Sequence, residues 1–464
     1  MDHVMASHAA EWAEGTHCGP DVRLCRPWKS DSRDVGPGDA FVALRGEKTD
    51  GHLYVHNAIE RGAKLLLVDI SRVEELMLDE PEFSGVSVIA VQDTATALPV
   101  IARDYLKRVS PRLTGITGSV GKTTTRELTV SLLKTEKKVH SAIRSFNTVV
   151  GCSLTILAMA EDTEVLVLEF GTNHFGEIRE MVSLFPPETA VITEVAPAHL
   201  EGFENIEGVL RAKMEICESK MLDTIIYNSD NMLLGNELSY KYNNINKIGV
   251  GKCAGADLKI TDQKLSLDDG GAALASFYDF MGKSVELRAN LFGLQHSYNV
   301  GYAFLTALHY GISEDAVQEA LSGFVPIAGR GICKKLPGNK WVIDEAYNAN
   351  PSSMGAALKN TLSVAESSSL TPYAVLGGMR ELGRSSAMWH QEILKMITGF
   401  RRVLLLGGEW FDPEAVIPAN AERYMTFEEL TPLAEELAGH DSVVLVKGSN
   451  SYGLKRFAAL LTEG

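Results

Sequence analysis

The sequence contains no CxxC pair and no zinc-type spacing of ligands. Its six cysteines, Cys18, Cys25, Cys152, Cys217, Cys253 and Cys333, are scattered, which excludes a zinc ribbon or a disulfide framework and leaves free, mostly buried thiols. Basic residues are also in short supply, with 44 Lys and Arg against 60 Asp and Glu and a net charge of -16. Such a balance lacks the broad basic face that displaces counterions from nucleic acid. It leaves room for a local basic pocket around a phosphorylated substrate. No apolar run approaches the roughly 18 residues of a membrane span. The first stretch, MDHVMASHAAEWAEGTH, carries acidic residues where a secretory signal has an apolar centre. A cytoplasmic protein with no membrane span and no nucleic-acid partner is expected. There is also no internal repeat and no low-complexity tract.

What is present is a globular chain of 464 residues, 45% hydrophobic and 22% charged, long enough for about three domains of roughly 150 residues. Residues 31–108 read as a small mixed domain: DAFVALRG, KLLLVD and VSVIAVQD are strand-like and YVHNAIERGA is helical. A junction is expected near RDYLKRVSPRLTG, where Ser-Pro follows a helix. Strands and helices then alternate: LTGITG, the helix KTTTRELTVSLLKTE, the strand TEVLVLEFG, the helix FGEIREMVSLF and the strand TAVITEV. That order predicts a mostly parallel sheet covered by helices. Residues 222–290 are richer in strands, HSYNVGYAFLTALHYGI restores a helix, and Gly and Pro cluster over 321–331. Beyond lie four apolar strands in WVIDEAYN, PYAVLGG, RRVLLLGG and DSVVLVKG. The expected division is 1–108, 109–323 and 324–464. The expected fold is α/β in three domains: a small mixed N-terminal domain, a central P-loop sheet with flanking helices, and a Rossmann-like C-terminal domain.

The segment GITGSVGKTTTRE carries the chemistry. Gly115 and Gly121 have five residues between them, one more than the usual phosphate-loop spacing. Gly118 and Gly121 let the backbone curl so that N–H groups of Ser119, Val120 and Thr124 face an anion at a helix N-terminus. Lys122 is placed to reach the terminal phosphates and the Thr123 hydroxyl to hold Mg²⁺. Glu169 ends an apolar strand, on the rim where parallel sheets bind ligands, and is a candidate magnesium ligand. His199 follows the next strand at the same rim, and Lys213 lies on the helix after it; alone, each would pass as an ordinary structural histidine or surface lysine.

Taken in order, GITGSVGKTTT, LEFGTNH, AHLEGF and AKMEI resemble the Mur ligases, whose phosphate loop has this longer spacing. DSRDVGPGDAFVALRGEKTDGH (31–52), DEAYNANPSSM (344–354), LGGMRELG (376–383) and VLVKGS (444–449) are similar to the flanking domains of one branch of that family. The resemblance implies an ATP-dependent, ADP-forming ligase of peptidoglycan precursor synthesis, acting as a monomer with ATP and Mg²⁺. Its substrates would be UDP-N-acetylmuramoyl-tripeptide and D-alanyl-D-alanine, joined through an acyl phosphate. It further implies one metal site at Thr123 and Glu169 and a second at His199 and Lys213, the lysine commonly carbamylated. Ser32 and Arg33 would hold the uridine diphosphate, Asn147 the muramyl peptide, and Arg330 and Asp344 the nucleotide.

The chain departs from the family pattern at Val120, Thr148 and Gly378, where Asn, Asn and Asp are frequent. Thr148 and Gly378 fall in segments that shape the peptide and acceptor region. The adenine-side motif appears only as QHSYN, with Ser297 and Asn299 both open to that place. Two alternatives are a related ligase with another amine or carrier, and a P-loop ATPase or small-molecule kinase that forms no amide.

Overall fold

The computed structural model describes residues 3–76, 85–142, 145–198, 200–434, 436–437 and 439–463. Among these the strands form three sheets of five, nine and six strands, in a three-domain α/β arrangement. In the first, Trp28–Lys29, Ala40–Val42, Leu65–Asp69 and Ser87–Val91 run parallel, and Thr16–Cys18 adds an antiparallel edge. Leu65–Asp69 and Ser87–Val91 are buried along their whole length, as continuous apolar strands covered on both faces must be.

The helix Thr94–Val109 leads out of this sheet. Asp93 caps its start by accepting from the N–H groups of Ala95 and Thr96, at 3.3 and 3.2 Å. Ser110 ends it in the left-handed region at φ 56°, and Pro111 prevents its continuation.

The central sheet runs from Val139–Ser141 through Val165–Glu169, Arg112–Thr117, Thr189–Ile192, Thr224–Asn228 and Asn246–Gly251 to Leu258–Asp268, all parallel; Gly271–Phe280 and Lys283–Ala289 then extend it antiparallel. Arg112–Thr117, the first of these strands in the chain, lies inside the sheet between two later ones. The loop leaving it therefore opens at a switch point of the strand order, where α/β sheets bind ligands. In the third sheet Lys340–Glu345, Ser442–Lys447, Thr371–Gly377, Arg402–Leu406 and Ala421–Tyr424 are parallel, with Ile332–Leu336 antiparallel at one edge.

All four apolar runs expected in the C-terminal region are strands. The edge strands Ile332–Leu336 and Ala421–Tyr424 were not expected; their residues are exposed or half-buried, so they lack the apolar signature of the interior strands.

Candidate functional site

The phosphate loop is built by two glycines. Gly118 and Gly121 have φ of 143° and 88°, values that a side chain resists. A Cβ on Gly118 would strike the Thr193 hydroxyl and the Glu194 backbone, and one on Gly121 would stand 2.7 Å from Asn299 Oδ1. The loop is braced from the next strand: Ser119 N–H donates to Glu194 O at 2.8 Å, and the Ser119 hydroxyl donates to Ala196 O at 2.9 Å. Lys122 opens the following helix, Lys122–Leu133, and bends its ammonium onto Gly118 O at 2.6 Å. Burial lowers its pKa; Glu169 opposes that shift and Arg330 adds to it.

Thr123 and Glu169, the pair expected at one metal site, stand together, the hydroxyl 3.1 Å from Glu169 Oε2. The other carboxylate oxygen forms a buried ion pair with Arg126 at 3.0 Å. Thr123 Oγ1 is also 3.3 Å from Ser145 Oγ, which receives the Tyr347 hydroxyl at 3.0 Å. Tyr347 belongs to the C-terminal region, so a line of hydroxyls crosses from that region to the phosphate loop.

These groups line a cleft of about 690 Å³ between the central and C-terminal sheets. Ser119, Val120, Gly121, Lys122, Thr123, Thr124, Asn147, Glu169, Asn299 and Arg330 are on its wall. Arg330 stacks on the Tyr347 ring at 4.0 Å. Asn299 donates from its amide to His296 Nδ1 at 2.8 Å, whereas Ser297 is fully buried and bonded to Ser276 at 2.7 Å. Asn299 is thus the one of the two that faces the cleft.

Other predicted residues stand elsewhere. Asp344 does not line the cleft; its carboxylate accepts Ala346 N–H at 3.1 Å, and burial raises its pKa. Its neighbour Glu345 is on the wall instead, holding Lys447 at 2.8 Å. Thr148 caps the helix Val149–Leu157 by accepting from Gly151 N–H at 3.3 Å. Ser32 and Arg33 lie in the N-terminal region, Ser32 buried and the exposed Arg33 forked onto Asp31 at 2.9 and 2.6 Å. His199 lies outside the described residues.

Lys213 is fully buried on the helix Ile206–Met214, and its Nζ has no hydrogen-bond partner among the described residues. Burial lowers its pKa far below that of a free lysine, and Lys122 lowers it further against the pull of Glu177 and Glu215. The direction of that shift favours the uncharged amine, the form that adds CO₂.

Sequence reasoning missed the far end of the cleft. There Glu194 accepts from the Asn228 side chain at 2.8 Å and from that of Asn231, and Tyr298 donates to Asp230 at 2.6 Å. Burial raises the Glu194 pKa despite those amides. The available signal was Asn228-Ser-Asp-Asn231 immediately after an apolar strand, which reads equally well as a turn.

Three family models match the chain: Mur ligase family, catalytic domain over 29–106, Mur ligase middle domain over 116–307, and Mur ligase, glutamate ligase domain over 332–450. The chain is 31% identical to the UDP-N-acetylmuramoyl-tripeptide--D-alanyl-D-alanine ligase of Bacillus subtilis, over 98% of this chain and 97% of that one. It is 29% identical to the ligase of the same name from Escherichia coli, over 100% and 99%. Among solved structures, the MurF ligase of Thermotoga maritima in complex with ADP superposes with a TM-score of 0.79 at 25% identity, covering 95% of this chain and 98% of that one. Among the described residues no helix is long and apolar enough to cross a membrane.

Proposed function

The chain belongs to the Mur ligase family, and from that premise we propose that it joins D-alanyl-D-alanine to UDP-N-acetylmuramoyl-tripeptide at the expense of ATP. The observation that carries the proposal is the cleft whose one wall is the phosphate loop and whose other wall carries Glu345, Tyr347 and Asn348 of the DEAYNANPSSM segment. A plain ATPase or kinase needs the first wall and has no use for the second. In the proposed division, residues 1–108 hold the UDP substrate, 109–323 bind ATP, and 324–464 bring the acceptor.

The reaction has two transfers. The carboxylate of the peptide takes the γ-phosphoryl group of ATP, releasing ADP and forming an acyl phosphate. The acceptor amine then attacks the acyl carbon, phosphate leaves, and the amine gives up a proton. Lys122 neutralises the phosphoryl group in transit, a charge that is best met by fixed cations in a site screened from water. To do so its ammonium must leave Gly118 O.

Thr123 and Glu169 fit a magnesium ion, since a hydroxyl and a carboxylate oxygen 3.1 Å apart are the sparse oxygen set that Mg²⁺ takes alongside phosphates. The ion supplies further neutralisation of the phosphate oxygens when bound. His199 and Lys213 are proposed for a second site. The unpartnered Lys213 amine, its pKa lowered by burial, supports carbamylation: the uncharged nitrogen bonds to CO₂ and loses a proton, leaving a two-oxygen anion able to ligate a metal. We assign Asn299 and Arg330 to the nucleotide, Asp344 to the support of the wall that carries Glu345, Asn147 and Thr148 to the peptide side, and Ser32 and Arg33 to the uridine diphosphate.

The test is ADP formation with each substrate withheld in turn. Turnover that needs ATP, UDP-muramyl tripeptide and dipeptide together is expected. ADP formed at full rate without the amine would overturn the reading in favour of a kinase or ATPase. A panel of amines separates this acceptor from others, a question sharpened by Thr148 and Gly378.

A further inference from the structure

The loop 378–385 lacks the acidic residue frequent at its start, and the structure puts another carboxylate in that place. A Cβ on Gly378 would stand 2.5 Å from Glu409 Oε2 and 3.0 Å from the Tyr452 hydroxyl. Glu409 follows the strand Arg402–Leu406, which pairs with Thr371–Gly377. Its carboxylate thus crosses from the next strand end into the volume that a side chain at 378 would fill. There it accepts the Tyr452 hydroxyl through Oε2 and pairs with Arg380 Nη1 at 3.0 Å through Oε1.

Arg380 is held from three sides. Its guanidinium lies 4.8 Å over the Tyr452 ring, Glu409 takes Nη1, and its backbone N–H donates to Ser449 Oγ at 3.2 Å. Even so its side chain is 55% exposed, whereas that of Glu409 is 15% exposed. The next residue, Glu381, is left-handed at φ 64° without being glycine, the kind of backbone cost that persists where the surroundings fix a loop for a purpose.

The loop leaves the third sheet beside the strand end that carries Lys447 into the cleft, Leu376 pairing with Lys447, although residues 378–385 are not on the cleft wall itself. Ser449 is two residues beyond Lys447, which lines the cleft. Gly383 packs against Glu201 on the short helix Leu200–Phe203 of the central region. Of the other cations here, Lys447 is buried against Glu345 and Arg330 is stacked on Tyr347. Arg330 is on the cleft wall and is assigned above to the nucleotide; Arg380 is held by Glu409 and Tyr452 and stays half exposed.

We propose that Arg380 anchors the terminal carboxylate of the acceptor dipeptide, and that Glu409 is a positioning residue that aims it. The inference rests on the function proposed above, whose acceptor carries one free amine and one free carboxylate. A guanidinium with one nitrogen fixed still presents paired donors to a carboxylate. A glycine at 378 is what allows Glu409 to reach it.

Acceptor kinetics with D-alanyl-D-alanine and with its C-terminal amide test this. Wild-type enzyme should prefer the free acid by about thirtyfold in kcat/KM, the size expected of hydrogen bonds to a charged group. In Arg380→Ala the KM for the dipeptide should rise by about that factor, those for ATP and the UDP-peptide should stay unchanged, and the preference for the acid should vanish. Arg380→Lys should recover part of the preference. Glu409→Gln keeps the shape and removes the charge, and should raise the dipeptide KM several-fold with kcat unchanged. Arg384→Ala, four residues on, should match wild type. An Arg380→Ala enzyme that melts like wild type and still prefers the acid by the wild-type factor overturns the assignment. If Arg380→Ala fails to fold, a Glu409→Gln enzyme with unaltered dipeptide KM overturns it instead. Wild-type enzyme with no dipeptide-dependent turnover would defeat the functional reading itself, a result the variants cannot mimic.

Discussion

At the joint between the first and second sheets, Leu67, Ile89, Leu98 and Tyr105 share one buried core with Leu157, Leu168, Phe185 and Ile225. At the joint between the second and third sheets the buried shared residues are fewer, Ala272 and Phe292 packing among the C-terminal core. Leu265 and Leu267 lean half-buried on the same core, and polar pairs make up much of what remains: Gln295 with Asn360 at 2.7 Å, Tyr347 with Ser145 at 3.0 Å, and Lys335 with Asp269 at 2.8 Å. A shared apolar core cannot be opened without exposing it to water. Hydrogen bonds of the second kind are exchanged for water at a net cost of about 1 kcal/mol each. The N-terminal and central sheets thus share one core, whereas the C-terminal sheet is joined to them by a smaller apolar contact and by exchangeable polar pairs, the kind of joint across which domains move.

The largest effect expected from breaking the first joint comes from Tyr105→Ala. Tyr105 is fully buried and its hydroxyl donates to Met159 O at 2.7 Å across the joint. Its truncation should cost about 4 kcal/mol, read by urea unfolding as a lower midpoint at unchanged slope. A loss under about 1 kcal/mol would mean that the two sheets do not share a core in solution. Lys122→Ala, at the polar joint, should behave in the opposite way. Ligation should fall by at least about a hundredfold, corresponding to roughly 3 kcal/mol of transition-state stabilisation, with little change in melting temperature. Turnover within about tenfold of wild type would count against its role.

Acid should loosen the second joint before the first. Burial lowers the His296 pKa from its ordinary 6.5 to about 4. A base whose folded pKa is depressed binds fewer protons folded than unfolded, so stability is full above about 6.5 and falls as the pH drops toward about 4. The loss should be about 1 kcal/mol near pH 5.5, absent in His296→Asn, and visible as earlier hydrogen exchange around residues 293–300. Equal slopes in wild type and variant would remove His296 from the account. The smallest effect is expected from Tyr347→Phe, which removes only the hydroxyl donated to Ser145. It should cost about 0.5–1 kcal/mol, seen as a few-fold rise in the KM for ATP; a KM equal to wild type would show that this contact does not couple the two sheets.

The sequence disclosed those features whose physics is local. Gly118, Gly121, Lys122 and Thr123 sit within one turn, and the apolar strand before Glu169 fixes which end of the sheet the carboxylate occupies. Part of the DEAYNANPSSM segment is local as well: Asn350 caps the helix Pro351–Ser367, with Ser353 completing the capping box. Asp344 and Glu345 were harder, because adjacent residues on a strand face opposite ways and nothing in an apolar run tells which way faces a partner. Glu194, Asn228 and Tyr298 were invisible as a group, since they come from three elements and meet only through the sheet order. The replacement of a side chain at 378 by Glu409 is of the same kind, a neighbourhood created by the parallel pairing of two successive strands joined through a helix.

The line of hydroxyls from Tyr347 through Ser145 to Thr123 ends on Glu169, and each hydroxyl has a single proton to give. With Tyr347 donating to Ser145, the remaining protons must point the same way, so the Ser145 proton occupies a lone pair of Thr123. The Thr123 oxygen keeps a second lone pair, so the line leaves one acceptor position on Thr123 open while it fixes which way every proton along it points. A tyrosine of the C-terminal region thereby sets the orientation of a hydroxyl on the phosphate loop, two groups that no hydrogen bond joins directly.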